Sequence, residues 1–401
     1  MGEDVLGIVR SAATGFAAGA TTLALCTAVT SGPAVQLTTS TVLVMGGTYN
    51  GTALAPPMQQ FLGGDPWYPN PDLDPFRPVG SFGGGYLDTA NNPASPYFGW
   101  DFVPVTWPAD VWPLFLGRTP YESSQEQGLK NIAGTLESTL SMLGSGEKVV
   151  AVGYSSSANV MVREMRALQG QPGGAPATDR VQFLLLGNPN RPNGGILQRF
   201  AGLYIPFVDI PLDGSTPTDT PYATTDVSWE YDFFSDFPTY PVNLLAVMNA
   251  FLTGSIVHGN YFPADINGPR ALPDTTVGNI TYITLKTPHL PLLMPLYDIG
   301  FPEPLLDLVE PALTVMVDWG YDRSAGPGTP TAAGLLPRID PATAAMQLVD
   351  AIGRGVQNLI SDLVPAGQAR SRGPARTTTA AATRRGSDHR KLTVTAPKSR
   401  R

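Results

Sequence analysis

Short apolar runs alternate with stretches of helical period along most of the chain. Thr38 to Met45 is β-branched and apolar and meets Gly46-Gly47-Thr48, which predicts a buried strand entering a tight loop. Phe102 to Trp107 reads as a second short strand. From Tyr121 to Leu143 the apolar positions Leu129, Ile132, Ala133, Leu136, Leu140 and Leu143 recur on one helical face, and Gly144 closes the helix. Lys148 to Val152 is a strand that passes through Gly153-Tyr154-Ser155-Ser156-Ser157 into a helix from about Ala158 to Leu168. Further strands are predicted at Val181 to Leu186, at Val227 to Tyr231 with Asp232 at its end, and at Ile280 to Leu285. Pro304 to Trp319 and Pro341 to Val364 have helical period, the second strongly amphipathic, with a Gly/Pro linker from Gly326 to Pro337 between them. That second helix either docks on the main domain or lies on a membrane. Residues 56 to 100 are crowded with Pro, Gly, Asn and aromatics and read as irregular structure. Strands alternating with helices, most of them apolar on both faces, predict an α/β fold with a central, mainly parallel sheet.

Composition adds a core and removes several chemistries. Of 401 residues, 42% are hydrophobic and only 14% charged, so a chain with 43 Gly and 40 Pro still has the material to fold. Cys26 is the single cysteine, which excludes an internal disulfide framework. The histidines are His258, His289 and His389, too few to suggest a multi-histidine metal centre; no metal or other cofactor is expected. Net charge is −8, divided between +9 from Ala366 to the end and −17 on the rest. An acidic body with a basic, Ser/Thr/Ala/Pro-rich tail reads as a folded domain with a disordered extension. Clustered arginine suits an anionic lipid or envelope surface, whereas the lack of interleaved aromatics argues against nucleic acid. Between Arg10 and Asp65 there is no charged residue, and Ala12 to Val29 is apolar and small, as in a signal peptide or membrane anchor. Export to the cell envelope or to a membrane is therefore expected. The sequence specifies no oligomeric state.

The candidate chemistry lies where the strand at Lys148 to Val152 runs through Gly-x-Ser-x-Ser into a helix. Such a turn resembles a nucleophile elbow, which exposes its serine above the sheet and needs small residues two positions to either side. Gly153 fits, and Ser157 stands where a second glycine is usual. The plainer reading is a serine-rich helix cap. In folds with this elbow the nucleophile is followed in chain order by an acid and then a histidine. Asp232 ends a later strand and is preferred to Asp236, and His258 is preferred to His289, which sits in the constrained Pro288-His289-Leu290-Pro291. The N–H of Ser156 and the loop carrying Thr48 would form the oxyanion hole. Trp67, Phe98, Trp100, Trp107, Trp112 and Phe115 would line an acyl groove, or else pack in the core. No Gly-rich phosphate loop follows the first strand, so nucleotide binding is set aside.

Six ordered segments also resemble the PE-PPE domain, a mycobacterial serine-hydrolase domain related to cutinases. They are Met45 to Thr48, Gly153 to Ala158, Leu186 to Gly195, Tyr231 to Asn243, Val257 to Tyr261, and Leu290 to Leu296. The resemblance implies a cutinase-like α/β-hydrolase with a Pro- and aromatic-rich insert and C-terminal helices. It places the nucleophile at Ser155. An apolar segment stands where a PE or PPE helical region often precedes this domain, as in a subgroup of trehalose-glycolipid acyltransferases. The expected division is a leader or anchor (1–37), the hydrolase domain (38–325), a linker with the amphipathic helix (326–365) and the basic tail (366–401). The expected function is an acyl-ester enzyme, esterase or acyltransferase, acting on a lipid or glycolipid ester. The alternative is a non-catalytic envelope-binding protein on the same fold.

Overall fold

The computed structural model describes residues 39–49, 51, 93–114, 117–171, 173–259, 261 and 266–363. The apolar segment from Ala12 to Val29, Trp67, Phe115, His389 and the basic tail lie outside them.

A seven-stranded sheet forms the centre, in the order β2-β1-β3-β4-β7-β9-β8. Its strands are β1 (Thr41–Met45), β2 (Asp101–Pro104), β3 (Val149–Tyr154), β4 (Val181–Leu186), β7 (Ala223–Trp229), β8 (Arg270–Val277) and β9 (Ile280–Leu285). Neighbours run parallel except β8, which pairs antiparallel with β9 at the edge. The mainly parallel α/β architecture is the one the alternating pattern predicts. Every residue of β1 and of β3 is buried, as two-sided coverage of a parallel sheet requires. Their side chains divide by parity. Val42, Val44, Val150 and Val152 enter one core with Tyr97, Val257, Tyr261 and Met294. Leu43, Met45, Val149 and Ala151 enter the other, where Ile132 and Leu136 of α1 (Tyr121–Met142) and Val160, Met161 and Met165 of α2 (Ser156–Gln169) cover the sheet.

The remaining elements are α3 (Ile196–Arg199), the hairpin β5 (Tyr204–Ile205) and β6 (Ile210–Pro211), α4 (Leu244–Ile256), α5 (Met294–Asp298), α6 (Glu303–Asp318) and α7 (Pro341–Leu363). Three differences from the expected elements have physical causes. The strand expected at 102–107 leaves the sheet after Pro104, and Trp107 turns its indole to donate to the Gly46 carbonyl at 3.0 Å. The strand expected at 227–231 runs instead from Ala223 to Trp229, because its polar start is buried: Asp226 forms a 2.7 Å ion pair with Arg191, itself almost fully buried. Asp232 thus follows a turn after the strand and does not directly end it. Finally, the hydrophobic pattern does not set α4 and β8 apart from their surroundings. Residues 326–337 run along the domain, with Thr331 N–H donating to the Pro192 carbonyl and Gly334 N–H to that of Thr239.

The order of strands reverses at β1, with β2 on one side and β3 on the other. Ligand sites of open α/β sheets sit at such a switch point, beyond the carboxyl ends of the strands. Met45 and Gly153 are paired in register, so the Gly46-Gly47-Thr48 loop and the Gly153 to Ser157 turn leave the sheet side by side.

Candidate active site

Ser155 stands between the last residue of β3 and the first of α2, at φ 57° and ψ −120°. A non-glycine residue at positive φ is strained, and the surroundings must hold it there. They do so through close packing. A Cβ on Gly153 would lie 2.6 Å from the Ser157 carbonyl oxygen and from Met161 Cγ, so only glycine fits. Ser157 is fully buried, and its hydroxyl accepts the Tyr154 N–H at 2.8 Å while facing the Met45 carbonyl at 2.8 Å. That hydroxyl ties the turn to β1, which explains a serine where glycine is usual. Gly47 approaches as closely, since a Cβ there would be 3.2 Å from that of Ser155.

The three residues expected to act together are hydrogen-bonded in a row. Ser155 Oγ lies 2.8 Å from His258 Nε2, and His258 Nδ1 lies 2.7 Å from Asp232 Oδ2. Asp232 is fully buried, His258 nearly so, and Ser155 retains 9% of its surface. Asp232 Oδ1 accepts the N–H groups of Phe234 (2.7 Å) and Ser235 (3.1 Å), and Oδ2 accepts the Tyr261 hydroxyl at 2.7 Å. Burial alone would push the Asp232 carboxyl up. The His258 ring, the Tyr261 hydroxyl and the Phe234 N–H outweigh burial, and the group lies below the usual carboxylate value. Burial and the Asp232 charge raise Tyr261 well above the usual phenol value, so it remains a donor. The Tyr154 hydroxyl donates to the His258 carbonyl at 2.8 Å and pins its backbone.

Beside Ser155, the Thr48 hydroxyl donates to Ser156 Oγ at 2.9 Å, which brings both oxyanion candidates together. Because α2 starts at Ser156, the positive end of its dipole lies at Ser155, and the first N–H of the helix, that of Ser156, precedes the turn whose Ala158 N–H bonds the Ser155 carbonyl at 3.0 Å. A developing negative oxygen there would be stabilised.

The competing candidates are placed elsewhere. Asp236 accepts both arms of Arg323 (2.9 and 2.8 Å) and the Tyr231 N–H (2.8 Å), clamping the turn that carries Asp232. His289 stacks on Tyr297 with centroids 3.9 Å apart and faces Glu310 at 3.2 Å. His289, Asp307 and Glu310 place ligand-type atoms within 4.8 Å of one another. The Tyr297 hydroxyl lies 2.8 Å from Asp307 and 3.2 Å from Glu310, and Glu310 also accepts the Leu290 N–H. Of the aromatics, Trp107 is core, Phe98 and Trp112 are exposed, and Trp100 packs on the core beside Tyr97.

Tyr261 and Gly187 carry roles that spacing did not reveal. Gly187 has φ +59°, and a Cβ there would lie 2.7 Å from His258 Cε1 and 2.8 Å from Tyr261 Cε2. It leaves the space in which the imidazole sits. Arg191, held by Asp226, Thr284 and the Ile283 carbonyl, fixes the loop after β4 from below.

With this geometry in place, comparison with known proteins is specific. Residues 99–322 match the PE-PPE domain. The chain belongs to the PE-PPE domain family. Among PE-PPE relatives of Mycobacterium tuberculosis, it is 42% identical to Esterase PE16 over 65% of its own length and 50% of that protein. It is 30% identical to Diacyltrehalose acyltransferase Chp2 over 71% of its length and 88% of that protein. It is also 30% identical to SL1278 acyltransferase Chp1, over 56% of its length and 54% of that protein. The chain thus spans about half the length of several relatives, PE16 among them.

Proposed function

We propose that this PE-PPE domain is a serine-dependent acyl-ester enzyme of the cell envelope that transfers a fatty acyl group between glycolipid molecules. The observation that carries the reading is the hydrogen-bonded row Ser155, His258, Asp232, with its serine held at positive φ at the start of α2. Ser155 Oγ attacks the ester carbonyl while His258 Nε2 takes its proton, and Asp232 holds the ring in the tautomer that leaves Nε2 free. The carbonyl oxygen becomes an anion facing Ser156 N–H and Thr48. As the intermediate collapses, the proton passes from His258 to the departing alcohol and the acyl group remains on Ser155. A second hydroxyl then gives its proton to His258 and attacks the acyl-enzyme, and as that intermediate collapses His258 returns the proton to the departing Ser155 Oγ. Water as this acceptor makes an esterase, and a sugar hydroxyl makes an acyltransferase.

Relatives named for each outcome support the common acyl-enzyme half of this reading. Transfer prevails where a sugar hydroxyl is bound beside the acyl-enzyme, since its positioning is worth several kcal/mol against attack by bulk water. Product analysis separates the two. With a trehalose ester as both donor and acceptor, acyl-trehalose products are expected to exceed free fatty acid; free acid alone at saturating glycolipid means an esterase.

Gly187→Ala tests the geometry that this mechanism needs. An added methyl must displace the His258 ring, and ester turnover is expected to fall on the order of 100-fold. The positive φ adds more than about 1 kcal/mol of destabilisation, which the melt would read. Rates on a short soluble ester, read beside a thermal melt, would show it. An unchanged rate means that the ring position seen here is not the working one.

A further inference from the structure

The amphipathic helix α7 docks by its small face and leaves its large one in water. A Cβ at Gly355 would collide with the Leu308 carbonyl, and Ala351, one turn earlier, is fully buried, so α7 lies close against α6. Leu348 and Leu359 flank this face half-buried, and the other bulky apolar residues point away from it. Met346, Val349, Ile352, Val356, Ile360 and Leu363 are between 43 and 70% exposed. At 3.6 residues per turn they fill one arc, about a third of the circumference, beside the docked face. Leu335 and Leu336, on the approach to α7, are 87 and 73% exposed. Docking on the domain, one of the two readings of this helix, therefore accounts for only part of its apolar surface. A six-residue apolar stripe in water is the mark of an interaction site.

The chain on the far side of α7 indicates the occupant. Three residues after Leu363 begins the segment whose charge is +9, while the body carries −17. A lipid surface bearing anionic head groups offers both apolar depth and negative charge, and an interfacial helix uses both. We infer that α7 lies on an anionic lipid bilayer through Met346, Val349, Ile352, Val356, Ile360 and Leu363, with the basic tail binding the head groups. Because α7 packs on α6 and α6 on α4, the helix that leads into His258, docking would hold the active-site domain at the source of acyl lipids. The inference does not depend on Ser155 chemistry, and a Ser155→Ala chain is expected to bind equally.

Co-sedimentation of the full chain with phosphatidylcholine vesicles, with and without phosphatidylglycerol, tests it. Binding should require phosphatidylglycerol and weaken as salt rises from about 0.1 to 0.5 M, where screening lengths shorten. Val349→Gln, Ile352→Gln, Val356→Gln and Ile360→Gln together should reduce partitioning roughly tenfold or more with an unchanged melt, since all four side chains face water. Arg384→Gln, Arg385→Gln, Arg390→Gln and Lys391→Gln together should remove most of the phosphatidylglycerol dependence. Wild-type binding by the stripe variant would overturn the inference and assign anchoring to another segment, such as residues 12–29. Failure of the wild-type chain to bind, or a wild-type dimer that the stripe variant separates, would overturn it as well.

Discussion

Ser155→Ala is expected to lower ester turnover by on the order of 10³-fold or more while the protein keeps its melting temperature. The size follows from the loss of the group that becomes acylated; what remains is binding and the oxyanion donors. The fold should tolerate the change because the packing of the turn rests on Gly153, Gly47 and the buried Ser157 hydroxyl. Removing the hydroxyl of Ser155 leaves those contacts intact, and Ala relieves none of the positive-φ strain. Purified wild-type and variant chains compared on one soluble ester, with circular dichroism as the fold control, give the result. A folded variant within tenfold of wild type would take the nucleophile's role away from Ser155.

Asp232→Asn and Asp236→Asn are expected to separate chemistry from stability. The amide at 232 cannot accept the His258 Nδ1–H as the carboxylate does, so the ring loses its working tautomer and turnover should fall on the order of 10³ to 10⁴-fold. At 236 the loss is the Arg323 pair that clamps the turn, and on the order of 2–3 kcal/mol of stability should go with it. Turnover at a temperature where the variant is folded should stay within about tenfold. The Asp232 carboxyl also sets an acid limit. Its folded pKa lies below its unfolded value, so its contribution to stability is complete above the unfolded value and is lost as pH falls through the folded one. Stability of the Asp232→Asn chain should therefore vary less on acidification than that of wild type. The reverse order of activities would move the acid's role to Asp236.

How much of this was legible follows from how local each constraint is. The serine turn is written in consecutive residues, because its steric demands fall on Gly153 and Ser157 themselves. The parallel sheet is legible for the same reason: β1, β3 and β4 are short apolar runs, buried almost throughout. Asp232 and His258 are reached by chain order, although the strand before Asp232 begins four residues earlier than its apolar pattern suggests. Asp226 breaks that pattern, and Arg191 and Asn188, 35 and 38 residues away, make it a core residue. Gly187 and Tyr261 escape for the same reason, since their partners are a ring and a carboxylate brought in from other segments. Helix α4 is hidden differently. It is apolar all round, with Leu244, Met248 and Phe251 exposed, and so shows no helical period; only Asn243, accepting the Ala246 N–H, marks its start. Strand β8 is an edge strand that is half polar and contains Pro273, which masks its alternation.

The most direct test of the central claim is the mass of the protein after brief exposure to a long-chain acyl ester. The account predicts one added acyl group, mapped to the peptide containing Ser155, that disappears when a sugar acceptor is supplied and never forms on the Ser155→Ala chain. An unmodified protein that nonetheless consumes the ester, or an acyl group mapped to another residue, would contradict it.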